Sequence, residues 1–145
     1  MKLSSKLVSG ERGDLNEFSF DKIDIKRIFV VSNVPSESIR GHHAHKNTRQ
    51  YLCCIAGKLE IVLDNGNERT KYFLEKSDYL YQDSLIWSEI KFIDEESKLL
   101  VASSTEYDEN DYIRDYKKFK KMVLKKWIKK ITIKLLYAEV RNTII

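Results

Sequence analysis

The chain has 145 residues, 42% hydrophobic and 33% charged, a balance that suits one folded domain and excludes a disordered chain. Its net charge of +4 is unevenly divided: residues 117–145 carry nine Lys and Arg141 against Glu139 alone, or +9, which leaves −5 for residues 1–116. The basic balance therefore belongs to the tail and gives no reason to expect a nucleic-acid partner for the body.

In chain order, Met1-Lys2-Leu3-Ser4-Ser5 lacks the apolar stretch of a secretory signal, and no run of about 18 apolar residues follows that could span a membrane. Ile25–Ser32 is apolar and β-branched and reads as a strand. All three histidines then fall within Arg40-Gly41-His42-His43-Ala44-His45-Lys46. Arg49–Ala56 is a further apolar run holding both cysteines. Cys53 and Cys54 are adjacent, a poor arrangement for a disulfide, and are expected to be reduced, buried filler in a cytoplasmic protein. Leu59, Ile61 and Leu63 alternate along the next strand up to Asp64-Asn65-Gly66-Asn67, whose Asn-Gly pair supports the positive φ angles of a hairpin turn. Glu68–Leu74, Tyr79–Gln82, Leu85–Ile93 and Lys98–Ser103 continue the series, which predicts an antiparallel sandwich or barrel.

From Glu106 the period changes. Glu109, Tyr112, Ile113, Tyr116, Phe119, Val123, Trp127 and Ile131 recur at mostly three- and four-residue spacings, which predicts a helix, or two broken near Tyr116–Lys117. Residues 1–116 are thus expected to form the β domain, and residues 117–145 a basic helical extension. There, lysine pairs flank Phe119, Val123, Trp127 and Ile131, so the helix either packs on its own sheet or a partner, or rests on an anionic membrane surface. Packing suits Phe119–Val123; beyond Trp127 both uses stay open.

The chemistry concentrates in the histidine run. On an extended strand His43 and His45 share one face roughly 7 Å apart, whereas His42 has the opposite parity and is expected at the surface. Such a pair can bind a metal or move protons. His43-x-His45, Gln50 and Gly57 have the spacing of the first cupin motif, but Gln50 stands where metal cupins place a carboxylate, and Leu85-Ile86-Trp87-Ser88 supplies no further histidine. Two neutral imidazoles and an amide make a poor divalent site, so no metal is expected and proton transfer is the remaining use. Arg40 offers a fork for phosphate or an enolate oxygen, and Lys46 a point charge.

Three strings together carry a resemblance over residues 8–120: Glu11-Arg12-Gly13-Asp14-Leu15, then Arg40-Gly41-x-His43-Ala44-His45-Lys46 with Gln50, then Tyr107-Asp108-Glu109-x-Asp111-Tyr112-Ile113-Arg114. They resemble the sugar-nucleotide 3,4-ketoisomerases that act on dTDP-4-oxo-6-deoxyglucose. The resemblance implies a mainly β cupin fold, a double-stranded β-helix or antiparallel jelly-roll barrel, that is dimeric and needs no metal or other cofactor. It implies His43 as the base at carbon and His45 as the partner acid/base at the oxygens, the order of the two staying open. Arg40 then stabilises enediolate or phosphate charge, Arg12 meets the pyrophosphate, and Gln50 and Lys46 bind substrate. The 3-oxo product would serve deoxy-aminosugar and surface-glycan synthesis.

This chain departs from the family pattern at Ser88, where relatives carry histidine, and at Phe29 and Val30, where they tend to have tyrosines. Tyr72, Tyr79, Tyr81 and Trp87 are expected in core or dimer packing rather than on the thymine. Block 106–116 is expected to be a strand-to-helix corner without catalytic acids. The alternatives are a related cupin 3,5-epimerase, a non-catalytic sugar-nucleotide-binding cupin, for which Ser88 would speak, and a metal cupin oxygenase.

Overall fold

The computed structural model describes residues 1–143. Its first strands are β1 (Lys2–Ser4), β2 (Lys6–Gly10), β3 (Gly13–Glu17), β4 (Arg27–Val31), β5 (Ile39–His45) and β6 (Gln50–Ala56). Then come β7 (Lys58–Asp64), β8 (Arg69–Glu75), β9 (Asp78–Gln82), β10 (Trp87–Phe92), β11 (Lys98–Ser103) and β12 (Tyr112–Ile113). One helix, α1 (Tyr116–Thr143), follows; Ile144 and Ile145, the end of the basic extension, lie outside the described residues.

Two five-stranded antiparallel sheets, ordered β1-β9-β6-β11-β4 and β12-β5-β10-β7-β8, enclose the main core, and β2-β3 forms a separate hairpin. The succession of short strands predicts an antiparallel sandwich or barrel, and the barrel is the jelly-roll that the resemblance implies. The apolar run in β6 lacks alternation because both of its faces are buried. Leu52 and Cys54 enter the core between the sheets with Leu59, Ile61, Phe92 and Val101. Tyr51 and Cys53 meet an outer cover of Phe18, Phe20 and Ile23. Burial pushes both thiols up to about 12, so these free cysteines stay protonated filler.

The helical period read from Glu109 does not hold before Tyr116. Glu109–Asp111 is a single 3-10 turn, and Tyr112–Ile113 is a two-residue strand pairing with His45 and Ala44 of β5. Tertiary pairing overrides local spacing here: β12 covers the edge of β5, and Ile113 buries against Ala44, Trp87 and Phe119. The helix is then unbroken, its start capped by Asp115, which accepts from the Lys118 backbone N–H at 2.7 Å.

Its first turns dock on the β7–β8 turn. The Tyr116 hydroxyl donates to Asp64 at 2.6 Å, and Lys120 Nζ donates to the Gly66 carbonyl. Gly66 is required there: its φ is +89°, and a Cβ would meet Val123 at 2.8 Å.

Candidate active site

Strand β5 carries the site, and an irregularity in it decides which side chains face inward. Its pairing with β10 sets Ser88 opposite His43 and Glu89 opposite Gly41, so His42 is the extra residue of a β-bulge, with φ +52°. The bulge resets parity. His42 points outward, while Arg40 joins His43 and His45 along one cavity. Gly41 permits the turn with φ +93°, and a Cβ there would lie 2.7 Å from the Ser88 carbonyl oxygen.

That cavity, about 270 Å³, opens between the sheets, with Phe29 and Leu52 on one wall and Ser88 and Ile90 on the other. The two imidazoles sit at 5.0 Å between ring centroids, nearly perpendicular at 85°, closer than ideal strand spacing predicts. Tyr112 packs on both, 4.9 Å from His43 and 4.5 Å from His45. The Arg114 guanidinium lies 4.5 Å above the Tyr112 ring and pairs with Glu109 at 2.9 and 3.1 Å.

Hydrogen bonds assign the tautomers. His43 Nδ1 is 3.0 Å from the Gly41 carbonyl oxygen, and His45 Nδ1 is 3.0 Å from Asp111 Oδ2. Both partners only accept, so each neutral ring carries its proton on Nδ1 and keeps a lone pair on Nε2. Burial is the main force holding both rings neutral. It lowers the His43 pKa, with the charge of Arg114 adding to it against the Gly41 hydrogen bond. It takes His45 down to about 4, helped by neighbouring His43 and opposed by Asp111. Arg27, whose buried Nε has no hydrogen-bond partner, adds positive charge against a second cation at His45. Burial also acts to raise the Asp111 pKa, but hydrogen bonds from Thr48, Asn47 and His45 outweigh it and keep the group a carboxylate. Thr48 Oγ1 donates to it at 2.5 Å and the Asn47 N–H at 2.8 Å.

Gln50 is buried on the cavity wall, and a relay fixes its orientation. Gln82 Nε2 donates to the Ile86 carbonyl at 2.9 Å, so Gln82 Oε1 accepts from Gln50 Nε2, also at 2.9 Å. The Gln50 carbonyl oxygen is thereby left as an acceptor. Among the described residues no cluster of three His, Cys, Asp or Glu side chains is gathered around a common point.

The remaining sequence candidates scatter. Lys46 does not line the cavity; its Nζ donates to the Asn110 carbonyl and its backbone N–H to that of Asp111, clasping the 3-10 turn. Arg12 lies at the exposed tip of the β2–β3 hairpin, away from the cavity lining. Of the departures, Phe29 and Ser88 line the cavity, whereas Val30 faces outward. Tyr79 joins the outer aromatic cluster, Tyr72 and Tyr81 pack beside core clusters, and Trp87 contacts Tyr116 and Phe119. Block 106–116 leads from the last strand into the helix, and it also reaches the site: Asp111, Tyr112 and Arg114 all enter the histidine constellation. The signal in the sequence was an acid, an aromatic and an arginine within four positions, which fall on a 3-10 turn, a two-residue strand and the residue after it, and the helical spacing around them hid it.

The comparisons agree with this geometry. The family model described as FdtA: WxcM-like, C-terminal, matches residues 3–124, ending inside α1. A TDP-4-oxo-6-deoxy-alpha-D-glucose-3,4-oxoisomerase of Aneurinibacillus thermoaerophilus is 33% identical over 127 residues, covering 85% of this chain and 91% of that protein. A 3,4-ketoisomerase from Helicobacter canadensis superposes with TM-score 0.78 at 34% identity, covering 85% of this chain and 96% of that one. A sugar 3,4-ketoisomerase from Thermoanaerobacterium thermosaccharolyticum, solved in complex with TDP, gives 0.80 at 32% identity, covering 87% and 95%. The rmlC epimerase of Mycobacterium tuberculosis, at 14% identity and TM-score 0.68 over 77% of this chain and 66% of that one, shares the fold alone.

Proposed function

From the premise that this chain belongs to the FdtA (WxcM-like, C-terminal) family and is a sugar 3,4-ketoisomerase, we propose that it moves the ketone of dTDP-4-oxo-6-deoxyglucose from C4 to C3 in the histidine cavity. The observation that carries the reading is the pair of neutral, Nδ1-protonated imidazoles lining one cavity 5.0 Å apart. The C4 ketone acidifies the C3 proton. His43 Nε2 takes that proton, and the electron pair of the C3–H bond forms the C3–C4 double bond of an enediolate with its charge on O4. His45 Nε2 accepts the O3 proton and returns it to O4, its transient cation facing the Asp111 carboxylate. His43, its proton exchanged with solvent in the open cavity, then protonates C4 as the C3 ketone forms. Each such transfer contributes about 10² to 10⁴ in rate.

Arg40 and Arg114, both bordering the cavity, stabilise charge on the enediolate or on the phosphates outside it. The Gln50 oxygen accepts from a sugar hydroxyl, and Phe29 gives the ring an apolar wall. Arg12 reaches a substrate only across a homodimer, which the exposed apolar Leu7, Val8 and Leu15 of its hairpin support. The setting we favour is cytoplasmic, with the 3-oxo sugar passed to an aminotransferase for surface-glycan synthesis. No helix among the described residues is long and apolar enough to cross a membrane.

The test is proton NMR of dTDP-4-oxo-6-deoxyglucose with the protein in D₂O and no added metal. The expected result is a 3-oxo product carrying solvent deuterium at C4, and a parallel run in H₂O gives the H4–H5 coupling that reports its configuration. Exchange at C3 and C5 with the ketone still at C4 would mean an epimerase. Nucleotide binding without exchange would mean a binding protein, and would overturn the reading.

A further inference from the structure

Helix α1 changes character along its length. Phe119 is fully buried and Met122 and Val123 pack beside it, but from Leu124 onward the apolar side chains face solvent. Leu124 and Trp127 are each 60% exposed, Ile128 55%, Ile131 49% and Leu135 61%. These positions recur every three or four residues and form one stripe, while Lys125, Lys126, Lys129 and Lys130 fall on the other face. Farther on, Ile133, Leu136, Tyr137 and Val140 form a second exposed group opposite the first. The last turns are therefore apolar on both sides. Past Leu124 this stretch lies beyond the family match.

A second copy would oppose its own +9 with another +9. An anionic lipid surface answers both features of the helix: it supplies counter-charge to the lysines and an apolar layer for the Leu124–Ile131 stripe. The helix is too polar to cross that layer, so it lies along it.

We propose that residues 124–143 form a membrane-surface anchor that holds this enzyme on anionic bilayers, with Leu124, Trp127, Ile128 and Ile131 set at the boundary between headgroups and acyl chains. The lysines snorkel to the phosphates, and the barrel remains in the aqueous phase. This inference is independent of the catalytic reading.

The test is co-sedimentation of the full chain with vesicles of phosphatidylcholine containing about one third phosphatidylglycerol, compared with phosphatidylcholine alone. Binding is expected only to the anionic vesicles, weakened at high salt, and at least about tenfold weaker in a Trp127→Ser, Ile131→Ser variant, which leaves the charge unchanged. That variant lies outside the histidine cavity and should keep its turnover, which shows that it is folded. No binding at low salt overturns the proposal, as does equal binding by the variant, which would reduce the effect to charge alone. Lipid-free self-association lost in the same variant would assign the stripe to a second copy and also overturn it.

Discussion

His45 Nδ1 donates to Asp111 Oδ2 at 3.0 Å across 66 positions of sequence, with both side chains almost fully buried. The contact fixes the ring's tautomer and places a negative charge beside any cation that forms on it. Asp111 touches His45 rather than the cavity, so it acts as a positioning residue. Asp111→Asn is therefore expected to lower kcat by about 10² with KM little changed, because the binding surface is intact while the transient imidazolium loses its counter-charge. The acid limb of the pH–rate profile should shift as well. A kcat within about threefold of the parent would remove Asp111 from the mechanism.

His43 has only a backbone carbonyl behind its Nδ1 and the more exposed position of the two rings, which fits the group that meets carbon. His43→Ala should retain binding of TDP in a calorimetric titration yet lose at least about 10² in turnover and in deuterium exchange at C3. Unchanged exchange would transfer the carbon base to His45.

Much of this was legible in the sequence for reasons that are local. Strands with clear ends, such as Lys98–Ser103, run where apolar segments and the Asn65-Gly66 turn put them. The shared face of His43 and His45 follows from strand parity alone. The contact of His45 with Asp111 did not follow, because Asp111 and Tyr112 are brought to the histidines by a 3-10 turn and a two-residue strand that pairs with the edge of β5. Local spacing there reads as helix. Lys46 looked like a ligand because it adjoins His45, but its ammonium is occupied by the Asn110 carbonyl. Arg40 lay on the wrong parity for the site until the bulge at His42 reset it.

That bulge is a point of failure with a single-residue test. Gly41→Ala must tolerate φ +93° and a Cβ 2.7 Å from the Ser88 carbonyl oxygen, so β5 and β10 must part or lose the bulge. Either outcome separates Arg40 from the histidines. The expected cost is about 1–3 kcal/mol in urea unfolding, with turnover falling further than stability explains. A variant with parental stability and turnover would show that the bulge is not needed for the site.

The histidines also set how stability responds to acid. An unfolded histidine titrates near 6.5, whereas folded His45 titrates at about 4 and His43 also lies below 6.5. Between the folded and unfolded values the unfolded chain binds more protons, so stability rises with pH through that window. The contribution is complete above 6.5 and is lost as pH falls through the folded values, and for His45 it is on the order of a few kcal/mol. Thermal unfolding from pH 7 down to 4 should therefore show a steep fall in Tm that flattens in a His45→Gln variant. Parallel curves for the two proteins would assign the acid sensitivity to other groups.

The two halves of α1 should respond differently to the same kind of truncation. Phe119 is fully buried among Ala44, Trp87 and Ile113, and its removal leaves a cavity under the strand that carries the histidines. Phe119→Ala is expected to cost about 3–5 kcal/mol and to loosen β12, so that activity falls with it. Trp127 is 60% exposed, and without lipid Trp127→Ala should stay within about 0.5 kcal/mol of the parent. Denaturant melts of both variants decide the matter. If Trp127→Ala costs as much as Phe119→Ala, the distal helix is already packed in solution, and its stripe is then not free to meet a membrane.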